Sequence, residues 1–580
     1  MKRFYLLSCL FVPFLLPAQT NILTTNPLAE QILLGNYNAT AWTPAQPTTL
    51  DPAALATEIN ARISPDSLKA YVISLSRYHN RSTGSDTVSA GNGIGASRRW
   101  VYQKFQEYSA ANQNRLVVSY LQFDQTICNF GQHRNIMAIL PGSKPAKNGV
   151  ILVEGHIDSR CATLCDTACL AQGIEDNASG TALVMELART MARYQFANTI
   201  VFMVTIGEEQ GLYGAYAFAD YIQQKGIPLR AVQNNDVIGG IICGQTSSAP
   251  SCPGLNNIDS TSVRLFSAGS YNSPSKQLAR FVKLEYTENL LPTVKVPMNV
   301  RIMSPEDRTG RGGDHIPFRE KNYPAMRFTS ANEHGDASNG PTYTDRQHSS
   351  RDILGVDTNA DGTVDSFYVD FDYLARNAVI NANALAIAAR GLRSAPDFTA
   401  IRSGSTVTVT FNAPIDTFSV RVALRSATND WDTVFVAFNN ATTVTLPCKP
   451  TGGLFVSACT QDAWGAESLF SVEKIVTTSG TSDQPDVTTT PNIRLFQNRP
   501  NPFDEATWIS FWVEQLPAYQ EASIRITDMQ GRLIRTMPAT LHQGMNEMLY
   551  THGYNTVGTY VYTLVVDGKP IDSKQMVFAW

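Results

Sequence analysis

Between residues 62 and 392 the chain alternates two kinds of hydrophobic pattern. Short continuous apolar runs, "NIMAILPG", "GVILVEGH" and "NTIVFMVTIG", have the length and branched-residue content of buried strands. Among them lie stretches with a helical repeat. "SGTALVMELARTMARY" puts Val184, Leu187, Ala188 and Met191 on one face, and "VINANALAIAARGL" reads as a last helix with Gly391 near its end. Such alternation predicts an α/β domain, a sheet with helices packed on it. From 393 to 475 the style changes to short alternating runs such as "TVTVTFNAP" and "VRVALRS", the pattern of a small β-sandwich. Residues 476–492 ("VTTSGTSDQPDVTTTPN") have the composition of a linker. The segment 493–580 is again β-rich, with turns at "MQGR" and "VDGK".

The opening "MKRFYLLSCLFVPFLLPAQT" combines a basic start at Lys2 and Arg3, an apolar stretch and a small residue at Ala18. It is a secretory signal pattern over 1–18, too short to span a bilayer. Residues 19–61 are polar and Pro/Thr-rich before becoming helix-like, and two readings stay open: a cleavable pro-segment or a packed extension. No later run is apolar for long enough to predict a membrane span in the mature chain. With 580 residues, two to four domains are expected, and 43% hydrophobic with 17% charged residues describes a globular chain. A net charge of -4 argues against a nucleic-acid binder or a polybasic membrane protein.

Cys9 lies in the leader, leaving Cys128, Cys161, Cys165, Cys169, Cys243, Cys252, Cys448 and Cys459. In an exported protein an even number predicts disulfides. Cys448 with Cys459 and Cys243 with Cys252 are expected local pairs. "CATLCDTAC" could bind a metal, but export favours bridges, with Cys128 as a further partner.

Candidate chemistry is concentrated in five stretches: "GHIDSR" (His156, Asp158), "GIEDNASG" (Asp176), "IGEEQGL" (Glu208, Glu209), "NNDVIGG" (Asp236) and "RQHSSRD" (His348). The first four lie at or just beyond strand-like runs, where an open α/β sheet has its ligand crevice. Two imidazoles and at least three carboxylates suit zinc, and one carboxylate can bridge a pair of ions. Adjacent glutamates resist joint ionisation unless cations compensate. Gly207 and Gly211 would let the chain turn so that both face one site.

These motifs, in this order, resemble the co-catalytic zinc aminopeptidases that include bacterial leucyl aminopeptidase and have the glutaminyl cyclases as relatives. The resemblance covers residues 62–392 and implies an open mixed β-sheet flanked by helices, peptide or protein substrates and two zinc ions. It assigns His156 and Asp236 to one zinc, Glu209 and His348 to the other, and Asp176 to the bridge. Asp158 would orient the His156 imidazole, and Glu208 would be the general base, exchanging a proton between the attacking water and the leaving amine. His334 and His315 are rivals of His348; Asp314 and His315 would line the site, and Tyr343 is a candidate oxyanion donor. The rival functions are glutaminyl cyclisation on the same fold and a surface adhesin with a retired peptidase core.

Other features carry weaker signals. "GNGIGAS" mimics a dinucleotide fingerprint but follows no strand, so it reads as a glycine loop before the helix "ASRRWVYQKFQEY". "DTNADGTVD" offers the calcium-loop spacing Asp357, Asn359, Asp361 and Asp365, yet Tyr368 stands where the bidentate Glu belongs. The stretch "LFQNRPNPFDEATWISF", with the strands after it, resembles the β-sandwich sorting domain of type IX secretion. That resemblance implies export across both membranes with the type IX machinery as partner, and an extracellular or cell-surface location. The 393–475 segment resembles fibronectin type III domains only generically.

Overall fold

The computed structural model describes residues 19–579 except 45–47, 50, 146–148, 245–255, 269–272, 304–305, 308–310, 332–345, 413–418, 427–429, 438–441, 450–453, 479–492, 504–505 and 553–556. The 1–18 leader, Cys252, His334 and Tyr343 lie outside the described residues.

Nine strands form one mixed sheet: β1 (Thr20–Thr24), β2 (Val117–Ile127), β3 (Phe130–Leu140), β4 (Val150–His156), β5 (Thr199–Thr205), β6 (Leu229–Asn235), β7 (Ser262–Ser267), β8 (Asn299–Ile302) and β9 (Ala325–Ser330). Their order is β1-β2-β3-β5-β4-β6-β9-β7-β8. β5, β4, β6 and β9 are parallel neighbours, while β1 to β3 join antiparallel at one edge. β4 and β5 are buried at every position, which explains their unbroken apolar runs.

The connection from β4 to β5 runs through the helix Ser179–Met191, and that from β5 to β6 through the helix Tyr213–Lys225. β5 and β6 lie on opposite sides of β4. Because parallel crossovers are right-handed, stepping in opposite directions puts these helices on opposite faces of the sheet. The direction of winding reverses beside β4. There the loops beyond adjacent strands part and leave a crevice. The helix Ser179–Met191 is buried except at Arg189, sandwiched between the sheet and the helices Pro65–Ser76 and Phe371–Ala388.

The described parts of residues 19–61 pack against the main sheet and core. β1 pairs with β2, and Ala29, Ile32, Leu33, Leu55, Ala56 and Ile59 are buried in the main core. Glu30 receives the Tyr221 hydroxyl at 2.8 Å and pairs with Lys225 at 3.0 Å.

Beyond the last helix, two four-stranded sheets between Phe398 and Thr478 enclose Phe398, Val407, Val409, Val420, Val422, Val456 and Ala458. A three-stranded and a four-stranded sheet between Ile493 and Phe578 enclose a separate core around Ile509, Ile524, Tyr562 and Leu564. In its "QNRPNPF" stretch, Asn498 holds Pro500 O and Thr507 Oγ1, each at 3.0 Å.

Disulfides join Cys128 to Cys165 and Cys161 to Cys169, so "CATLCDTAC" is a bridged loop. The expected Cys448–Cys459 pair does not form; both are free thiols. Alternation along the strand Phe455–Gln461 explains why. Val456 and Ala458 face the sandwich core, whereas Cys459 faces the other way, against Ala423 and Phe470. Cys448 packs against the sandwich core, on the far side of that sheet. Cys243 is disulfide-bonded, and Cys252, its expected partner, lies outside the described residues.

Candidate metal centre

His156 ends β4, Glu208 and Glu209 follow β5, and Asp236 follows β6, so three neighbouring parallel strands deliver four groups to one crevice. Positive φ at Gly207 (76°) and Gly211 (138°) folds the Glu208–Glu209 segment into a turn, a geometry glycine adopts at little cost. Asp176 comes from the stretch before the helix Ser179–Met191. Asn177 takes the capping duty there, accepting from Gly180 N at 2.8 Å, and leaves the Asp176 carboxylate to the crevice.

The side chains meet as two groups of three. His156 Nε2 lies 3.2 Å from both Asp176 Oδ1 and Asp236 Oδ1. His348 Nε2 lies 3.1 Å from Asp176 Oδ2 and 3.2 Å from Glu209 Oε2. Asp176 thus presents one oxygen to each group. Within each group one ligand atom per residue lies within 4.8 Å of the others. Glu209 Oε1 is buried without a hydrogen-bond partner, an acceptor that a cation would satisfy. Imidazole nitrogen with carboxylate oxygen is the donor set zinc takes, so these residues fit it.

Asp158 acts differently from the expectation. His156 Nδ1 donates to the Asp158 backbone carbonyl at 3.0 Å, and the carboxylate is 3.7 Å from Nδ1. That bond still protonates Nδ1 and leaves the Nε2 lone pair toward the site. The Asp158 carboxylate instead accepts from Glu208 N at 3.4 Å, Glu209 N at 3.2 Å and Thr83 Oγ1 at 3.2 Å, so it holds the diglutamate turn. Glu208 stands beside the first group, its Oε2 4.0 Å from His156 Nε2. Burial pushes its carboxyl well above the ordinary range; His156 pulls down, while Asp236, Glu209 and Asp314 add to the rise.

Of the rivals, His315 turns away to the Glu306 backbone carbonyl at 3.0 Å. Asp314 is buried, accepts from Thr205 Oγ1, and burial lifts it to about 7. In the 357–365 loop the carboxylates serve the loop's own turn. Asp357 accepts from Asp361 N and Gly362 N, and Asp365 accepts from Thr358. Among the described residues, neither three-ligand group includes that loop.

Three supports have little or no signal in the linear pattern. Asp352 receives Glu175 N at 2.9 Å and Asp176 N at 3.0 Å, fixing the shared carboxylate; only its place four residues after His348 hinted at a role. Arg327 in β9 pairs with Asp236 Oδ2 at 3.0 Å and with Asp307 at 3.2 Å. Arg81, fully buried, donates to the carbonyls of Ile157 and Gly173 at 2.9 Å and braces the loops that carry Asp158 and Asp176.

The sequence model of peptidase family M28 matches residues 135–366, which include all seven candidate residues. A probable zinc metalloprotease of Leptosphaeria maculans is 32% identical over 331 residues, 55% of this chain and 73% of that protein. Another, of Pyricularia oryzae, is 33% identical over 336 residues, 55% of this chain and 63% of that protein. The crystal structure of the LapA aminopeptidase of Legionella pneumophila shares 18% identity and a TM-score of 0.41, over 60% of this chain and 78% of that one. Sequence kinship and donor set together define a zinc metallopeptidase. The chain belongs to peptidase family M28.

Proposed function

We propose that this metallopeptidase is an exported aminopeptidase holding two zinc ions and removing residues from the amino termini of peptides outside the cell. One observation carries the two-ion reading: the two oxygens of Asp176 belong to two complete three-ligand groups. Zinc, when bound, supplies a Lewis acid for the scissile carbonyl and lowers the pKa of water. His156, Asp176 and Asp236 would hold one ion; Asp176, Glu209 and His348 would hold the other. Glu208, standing beside the first group, takes a proton from the attacking water and returns it to the leaving amine. Asp158 keeps Glu208 and Glu209 in register through their backbone N–H groups. The export reading rests on the leader pattern and on the C-terminal segment's likeness to type IX sorting domains. Among the described residues no helix is long and apolar enough to cross a membrane.

Metal analysis and aminoacyl anilides test this reading. About two zinc ions per chain are expected, Asp176→Ala losing both and Asp236→Ala about one. Glu208→Gln is expected to keep its zinc and lose about 10²–10⁴-fold in kcat. A single ion per chain, with cyclisation of amino-terminal glutamine and no anilide hydrolysis, would refute the proposal.

A further inference from the structure

A cavity of about 690 Å³ lies at the end of the sheet away from the metal ligands, and the hydrolysis described above makes no use of it. Its walls come from the N-terminal extension, the peptidase and the segment that begins at 393. A volume of that size where parts of a chain meet is usual for small-molecule sites. Asn198, just before β5, frames the cavity. Its backbone N–H donates to Ala389 O at 2.8 Å, and its side-chain oxygen accepts from Gly149 N at 3.1 Å. A Cβ added to Gly149 would meet Arg230 Cγ at 2.8 Å, so the Arg230 stem lies against this frame. Arg230 is the second residue of β6 and Asp236 follows that strand, which puts the cavity roughly 20 Å from the metal centre.

Two kinds of side chain line it. Leu34, Leu392 and Leu469 are partly buried and form an apolar wall. Lys225, Arg230 and Arg393 bring positive charge, and no Asp or Glu is among the described lining residues. The sequence from Pro141 to Gly149, which borders the cavity at Pro145, contains no acid either. Part of the charge is already matched. Glu30 pairs with Lys225 at 3.0 Å. The helices Tyr213–Lys225 and Phe371–Ala388 both end at the cavity, and their carbonyl ends are worth roughly half a negative charge each. About one unit of positive charge is left over. Arg230 and Arg393 carry it: both are exposed, and neither guanidinium is bonded to a carboxylate among the described residues.

A ligand that fits has one negative charge and an apolar stem. A phosphate dianion brings too much charge, and a free amino acid brings an ammonium group that nothing acidic would meet. A carboxylate also matches the planar guanidinium fork. We propose that this cavity is a second binding site, separate from the metal centre, for a monocarboxylate on an apolar stem, held by Arg230 and Arg393. Aliphatic acids and amino-blocked peptides ending in an apolar residue share that chemistry. The site does not depend on which peptide bond the metal centre cuts. Its ligand touches both the peptidase and the 393–475 segment, so occupancy raises the thermal midpoint.

The zinc-loaded full chain is titrated calorimetrically with octanoate and octanamide, and with acetyl-leucyl-leucine and its amide. At least one of the two acids is expected to bind once per chain, about tenfold or more tightly than its amide. The acid that binds more tightly identifies the stem. Arg230→Gln and Arg393→Gln are each expected to lower the preference, their combination to bring it toward one, and Arg230→Lys to keep part of it. Zinc content, hydrolysis and the ligand-free thermal midpoint are expected to stay unchanged in these variants, which verifies their fold. Failure of both acids to bind, or equal binding of acid and amide, overturns the proposal. A preference that survives the double substitution also overturns it, because the carboxylate is then held elsewhere, as at the metal centre.

Discussion

His156 is surrounded by acid: Asp158 on one side, and Asp176, Glu208 and Asp236 on the other. Burial would lower its pKa, but Glu208, Asp236 and Asp176 lift it well above the ordinary value. His348 is lifted to about 9 against its burial by Glu209 and Asp176. Burial raises Asp158 to about 6, Asp352 to about 7 and Glu175 to about 8. These groups therefore bind more protons in the folded protein than in the unfolded chain. The carboxyl contribution to stability is full below about pH 4 and fades as pH climbs through about 6 to 8; the His348 contribution is full below about 6.5 and is lost by about 9. Burial would raise Asp176 and Asp236, yet His156 and His348 hold the first low and Arg327 and His156 the second, so both titrate below this window. The metal-free protein is thus expected to lose stability from about pH 4 to about pH 9, and zinc, which would take the place of the protons on His156 and His348 and favour the ionised carboxylates around them, to restore it. Thermal unfolding with chelator and with zinc at about pH 5 and about pH 8 checks this, because the zinc-induced rise must be larger at the higher pH. A metal-free midpoint higher at the alkaline pH would contradict it.

At the scale of elements, the 393–475 segment is joined to the peptidase by buried charge. Glu473 accepts from Arg425 Nε at 2.6 Å and lies 3.3 Å from Arg280 of the helix Pro274–Glu285. Burial would raise the Glu473 carboxyl, yet Arg280 and Arg425 hold it below its usual value. Arg421 pairs with Glu288 at 2.7 Å and with Glu467, and Gln277 donates to Ser471 O at 2.6 Å. Glu473→Leu would remove the buried carboxylate that the Arg280 and Arg425 guanidinium groups share. The expected loss is about 3–5 kcal/mol by denaturant unfolding. A loss under about 1 kcal/mol, the value of an exposed pair, would show that this junction is wet. Such pairs are invisible in sequence, since Arg280 and Glu473 belong to segments nearly two hundred residues apart.

Across the whole molecule the C-terminal sandwich has its own core, built only from residues of 493–580. A chain ending after Thr478 is therefore expected to keep its zinc and its hydrolytic activity, with a midpoint within a few degrees of the full chain. A chain ending after Leu392 exposes Leu284 and the charged face of its helix and is expected to unfold at lower temperature. Calorimetric scans of both truncations decide this. Residues 19–61 behave oppositely, because their apolar side chains belong to the main core. Removing them is expected to abolish the soluble fold.

Local pattern marked the buried sheet strands, the helices between them and the histidines and carboxylates that the crevice brings together, because periodicity and residue chemistry are written in consecutive positions. Gly207 and Gly211 announced the turn that turns two glutamates toward one crevice. The tertiary structure alone decided that Asp352, Arg81 and Arg327 brace the residues of the crevice, that Asp158 meets His156 through its carbonyl and the diglutamate turn through its carboxylate, and that Cys459 faces away from Cys448. Each of those depends on which distant surfaces share a buried, low-dielectric space, where an unmatched charge or donor is costly. Proximity of that kind comes from chain crossovers and packing, which no short stretch of residues encodes.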